Sequence, residues 1–132
     1  MSGDLDEMQS PYEQLGREPG VRALVERFYR FMDELPEAAT IRAMHADDLE
    51  PMIDKLEVFL TGWMGGPQRY RERFGRVVIP AAHEPYPIGA AESEQWLLCM
   101  RRALESVEVS DELGALLMDA FASMARMCQT RD

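Results

Sequence analysis

Apolar residues recur every three or four positions through four long stretches of this chain, and that period demands helices. Val21, Leu24, Val25, Phe28, Met32 and Leu35 mark the first, with Pro19 and Gly20 punctuating its start and Pro36 breaking it. Residues 37–44 read as a short helix or turn. Asp47 or Asp48 can cap the next helix, whose apolar side carries Leu49, Met52, Ile53, Leu56, Phe59, Leu60 and Trp63. Gly65, Gly66 and Pro67 end it, because glycine tolerates the left-handed cap and proline cannot continue the helix. Trp96, Leu97, Met100, Ala103, Leu104 and Val107 mark the third long helix. Ser110 caps the fourth, with Asp111 and Glu112 set against its dipole, and Leu113, Leu116, Leu117, Ala120, Phe121, Met124 and Cys128 line one side. A shorter helix fits Pro11 to Leu15, and no stretch reads as a strand. The expected fold class is all-α; a plain four-helix bundle fits this outline, and so does more than one other packing of the same helices.

Between Gly66 and Glu92 the pattern fades. Pro67, Pro80, Pro85 and Pro87, with Gly75 and Gly89, predict a long loop holding at most a short helix. Loops of that length in a small domain usually carry function or are disordered.

Composition narrows the functional classes. The 132 residues suffice for one compact domain, and 46% are apolar, as a globular core requires. A formal net charge of −10 repels nucleic acid and anionic lipid, so neither is an expected partner. No apolar run is long enough to span a membrane, and the acidic start, Met1 to Ser10, lacks a secretory pattern, so a cytoplasmic location is expected. Cys99 and Cys128 stand far apart on helical patterns, where a thiol behaves as a small core residue. Most of the ten methionines read as adaptable core filler.

Several chemistries lack their residues. There is no Gly-rich phosphate loop and no nucleophile elbow. A di-iron bundle needs paired Glu-x-x-His motifs, but Arg42 and Pro80 stand three positions before the only histidines, His45 and His83. Two histidines and two separated cysteines do not make a structural zinc site. One histidine can still hold a metal when a macrocycle supplies the other ligands. Taken alone, His83 in its Pro-rich loop is either such an axial ligand or a plain surface residue.

The ordered motifs bear on that choice. Phe28-Tyr29 is followed by His45-Ala46-Asp47-Asp48-Leu49, then Phe59-Leu60-x-Gly62-Trp63-x-Gly65-Gly66-Pro67-x-x-Tyr70. His83-x-Pro85-Tyr86-Pro87-Ile88 and Trp96-Leu97-x-Cys99-Met100 come next. This series resembles the group II truncated haemoglobins over about residues 12 to 128. The resemblance implies a two-over-two helical sandwich around haem b, with residues 1–10 a flexible acidic N-terminus and 11–132 the globin domain. It implies His83 as the proximal iron ligand and a distal ligand-binding site of Tyr29, His45 and Trp96. Met52, Leu56, Phe59 and Tyr86 then contact the haem, and Lys55 and Tyr70 are candidate partners for its propionates.

The implied function is reversible binding of dioxygen, nitric oxide or carbon monoxide, with nitric oxide dioxygenation or peroxide reduction as enzymatic variants served by an unidentified reductase. A monomer or a homodimer is expected. Phenol and indole donors steady the partial negative charge that dioxygen acquires on ferrous haem. His45 can donate to the ligand through a ring nitrogen or bind iron itself. Two departures stand out: Met52 occupies a position where small residues are commoner, and Ala82 replaces a frequent propionate-pairing arginine. That second change gives footing to a rival reading, a haem-free helical interaction module that retains the globin outline.

Overall fold

The computed structural model describes residues 10–75 and 87–130. Its helices are α1 (Pro11–Leu15), α2 (Arg17–Glu34), a 3-10 turn (Pro36–Ala38), α3 (Ala39–Ala43), α4 (Glu50–Trp63), α5 (Arg69–Phe74), α6 (Ala90–Ser106) and α7 (Asp111–Cys128). No strand occurs among the described residues. α2 packs on both α4 and α6, and α6 packs on α7. The core is therefore two helix pairs, α2 with α4 and α6 with α7, joined where α2 meets α6.

The expected helices are all present, and one boundary moves. α2 begins at Arg17, ahead of the Pro19-Gly20 pair that reads as its start. Pro19 falls in the first turn, where the N–H it lacks would have no helical partner. Gly20 is there because α1 presses on it: a Cβ would sit 2.0 Å from the carbonyl oxygen of Leu15. Glycine is equally required at Gly66, where a Cβ would meet the Tyr12 ring at 2.7 Å. Tyr12 N–H donates to the Met64 carbonyl at 3.0 Å, so α1 is docked on the end of α4.

Neither Asp47 nor Asp48 is the cap of α4: that position is Leu49, which makes no side-chain cap bond, and Asp48 lies one residue earlier. The Asp48 Oδ1 accepts from Glu50 N–H at 3.1 Å. Ser110 caps α7 by accepting from Leu113 N–H at 3.1 Å. The α2–α4 contact is fastened at its rim by Arg22, which reaches Asp54 at 2.6 Å, Glu50 at 3.4 Å and Glu57 at 3.6 Å on α4. Burial raises the Glu57 carboxyl above its usual range, and Arg22 partly opposes this.

Thr61 lies fully buried in α4, and among the described residues its Oγ1 has no hydrogen-bond partner. A buried hydroxyl without a partner forfeits hydration for nothing, at about 1–3 kcal/mol. Thr61→Val keeps the shape and removes the polar atom. It should stabilise the protein by about 1 kcal/mol in urea unfolding, whereas an unchanged or lower midpoint would show that Thr61 is paired in solution.

Candidate functional site

α4 buries its two faces unequally. Val58, Leu60 and Thr61 are buried, whereas Met52, Ile53, Leu56, Phe59 and Trp63 are only half-buried. Positions 52, 56, 59 and 63 share one helical face. They pack against the core without being closed over by it. Trp96 and Leu97 of α6 are half-buried in the same way. An apolar, aromatic-rich wall of this kind suits a large apolar partner.

Hydrogen-bonding side chains from α2, the turn after α3 and α6 meet nearby. Tyr29 sits on α2 and is only 4% exposed. Its ring meets Phe28 edge-on at 4.9 Å and His45 at 5.8 Å. Phe28 in turn contacts Trp96 at 5.1 Å. Tyr29, His45 and Trp96 are therefore brought to one aromatic cluster with Phe28 at its centre. Burial pushes the Tyr29 phenol well above the ordinary tyrosine range, so it remains an O–H donor at every physiological pH.

His45 is held from two sides. Its Nδ1 lies 2.8 Å from the carbonyl oxygen of Ile41. A carbonyl can only accept, so Nδ1 carries the hydrogen, and in the neutral ring Nε2 is the accepting nitrogen. Arg42 secures the turn that carries His45: Nη1 donates to the Ala46 carbonyl at 3.0 Å, Nη2 to that of Asp47 at 3.1 Å, and Nε to Asp33 at 2.9 Å.

Lys55 and Tyr70 also come together. Tyr70 meets Phe59 edge-on at 5.7 Å, and the Lys55 Nζ stands 6.0 Å from the Tyr70 ring centre. The remaining two predicted site residues, His83 and Tyr86, lie outside the described residues. The chain just after them is anchored: Ile88 N–H donates to Thr130 Oγ1 and Thr130 N–H donates to the Ile88 carbonyl, both at 2.8 Å. Glu92 Oε1 accepts from Gly89 N–H at 2.7 Å and caps α6 there.

The sequence reading missed Phe28, Phe121 and Arg42 as organisers of this region. Phe121 stacks on Trp63 at 4.9 Å and meets Trp96 edge-on at 5.6 Å, which links α4, α6 and α7. Both phenylalanines carry only a core pattern in the sequence, and nothing local distinguishes Arg42 from a solvated arginine.

With this geometry in hand, comparison with known proteins assigns the class. Residues 10–130 match the family model for bacterial-like globins. The group 2 truncated haemoglobin YjbI of Bacillus subtilis (strain 168) is 32% identical over 117 residues, covering 89% of this chain and 86% of that protein. The solved group II 2-on-2 haemoglobin of Agrobacterium tumefaciens superposes with a TM-score of 0.91 at 39% identity, covering 96% of this chain and 98% of the other. The cold-adapted truncated haemoglobin of Pseudoalteromonas haloplanktis TAC125 also gives 0.91, at 29% identity, covering 94% of this chain and all of the other. The chain belongs to the bacterial-like globin family. Within it, the protein is a haem-binding globin of the group II truncated, two-on-two class.

The Tyr29 environment makes a direct prediction. The fold favours the neutral phenol, so its contribution to stability is intact below the unfolded tyrosine pKa of about 10 and is lost as pH rises above it. Alkaline titration followed by ultraviolet absorbance should show one phenol ionising late or only on unfolding. Tyr29→Phe should abolish that late phase; its persistence would contradict the assignment.

Proposed function

We propose that this globin binds haem b against the half-buried face of α4, with His83 as proximal ligand, and takes up a diatomic gas on the Tyr29–His45–Trp96 side. The observation that carries this reading is an unclosed apolar wall on α4 in the same small core as a buried phenol, Tyr29, clustered with half-buried His45 and Trp96. The residues present fit the group: Met52, Leu56 and Phe59 offer apolar contact to a flat ring. Lys55 and Tyr70 offer a cation and a hydroxyl for its carboxylates. A non-covalent haem accords with the absence of any Cys-x-x-Cys spacing.

When bound, haem supplies the iron that a diatomic ligand requires. The chain's own residues decide how long the ligand stays. Tyr29 keeps its proton and serves as an O–H donor inside the cluster. Trp96 supplies an indole N–H from α6. With Nδ1 donating to the Ile41 carbonyl, Nε2 is the accepting nitrogen of the neutral His45 ring, and it donates only when the ring is protonated. The apolar wall excludes water, which strengthens each of these interactions.

Absorption spectra of the purified protein, ferric, ferrous and with carbon monoxide, test this reading. We expect a Soret band that His83→Ala weakens or shifts. Tyr29→Phe should speed dioxygen release about ten- to a hundredfold, the worth of one hydrogen bond to a charged acceptor. Absence of a Soret band after haem is added would favour the haem-free interaction module instead.

A further inference from the structure

α5 carries charge of the opposite sign to the chain as a whole. The sequence has 24 acidic against 14 basic residues, yet Arg69, Arg71 and Arg73 stand within six residues with Glu72 as the single acid. Lys55 joins them from α4, its Nζ 5.4 Å from the centre of the Phe74 ring. The Arg73 guanidinium lies 5.2 Å from the same ring. Among the described residues, Arg69 is paired with Glu18, and Lys55, Arg71 and Arg73 enter no salt bridge. Phe74 is 46% exposed, a large apolar side chain left at the surface in the middle of these cations.

The patch also connects inward. Phe74 meets Tyr70 at 4.9 Å, and Tyr70 meets Phe59 at 5.7 Å on the half-buried wall of α4. An exposed aromatic ring with arginines around it has the composition of an interface centre. A single short helix offers a small contact, the scale of transient redox encounters rather than of permanent assemblies.

We propose, resting on the haem assignment above, that this patch docks an acidic one-electron carrier protein that returns the haem to its ferrous state. Phe74 forms the apolar centre of the contact, and Arg71 and Arg73 form its cationic surround, Lys55 being turned to the haem carboxylates. One electron passes from the reduced carrier to the haem; ferric iron becomes ferrous, the carrier is oxidised by one electron, and no proton or covalent bond is exchanged. Charge sets the docking site. A molecule of net charge −10 repels an acidic protein from most of its surface, so attraction requires a local region of opposite sign.

That opposition supplies the test. Global repulsion makes the reaction faster as salt is added, whereas local attraction at the patch makes it slower. The probe is a plant-type [2Fe–2S] ferredoxin, an acidic carrier, with the haem-loaded protein. Oxidised ferredoxin is titrated calorimetrically into the ferric protein, and reduced ferredoxin is mixed with it under carbon monoxide in stopped flow. Binding and reduction should both fall about tenfold or more between about 20 mM and about 300 mM salt. At low salt, Arg71→Glu should weaken both about tenfold, and Arg71→Gln by less, with the Soret spectrum and the rate of reduction by dithionite unchanged. Rates that rise with salt, or that ignore Arg71→Glu, would overturn the docking site while leaving the haem assignment standing. Failure to take up haem would be visible in the spectrum before any carrier is added, and would overturn both.

Discussion

Phe28 is where the two helix pairs meet, and the rest of the molecule is arranged around it. Its ring is fully buried and touches Tyr29 on its own helix and Trp96 on α6. Burial of a side chain this size contributes about 1.5–3 kcal/mol, a sizeable share of a small domain's margin. Its position has a second consequence. By holding α2 against α6, it brings a phenol and an indole into one cluster, although they stand far apart in the sequence. Val21, Leu24, Val25 and Met32 extend the same buried face along α2 and hold that helix in register.

α4 is secured differently. One side is closed by α2 and bordered by Arg22 with its three acidic partners on α4. The other side presents Met52, Leu56, Phe59 and Trp63 half-covered. A helix apolar on more of its surface than the protein closes over is ready to bury a further apolar object. His45, Arg42 and the turn after α3 sit at the beginning of this face, and α5 with Tyr70 and Lys55 sits near its end. Among the described residues, no helix is long and apolar enough to cross a membrane.

Much of this was readable in the residues, for identifiable reasons. Helix existence follows from apolar periodicity, and α2, α4, α6 and α7 all follow it. The cap at Ser110 follows from side-chain chemistry, since few residues can satisfy an exposed N–H, whereas the cap of α4 falls on Leu49, one residue past the expected Asp48. The start of α2 differs from the sequence expectation because Pro19-Gly20 carries two meanings: a break in most chains, here a first-turn proline beside a glycine on which α1 presses. Of the site, the pattern supplied residue types and order, and the family resemblance supplied roles. What local sequence does not encode is which side chain reaches a distant backbone atom. The Ile41 carbonyl that sets the His45 tautomer, the Arg42 grip on the following turn and the Thr130 anchor at Ile88 are all of that kind. The same holds for Phe28 and Phe121, which look like any other core positions until their neighbours are known.

Haem, bound as proposed, would complete the half-buried face of α4. Hydrogen–deuterium exchange of the apoprotein, repeated after adding one equivalent of haem, tests it most directly. The account predicts that exchange slows markedly across residues 50–63, with a smaller effect along the outer face of α7. Equal slowing throughout, or no change in α4 despite a developed Soret band, would contradict it.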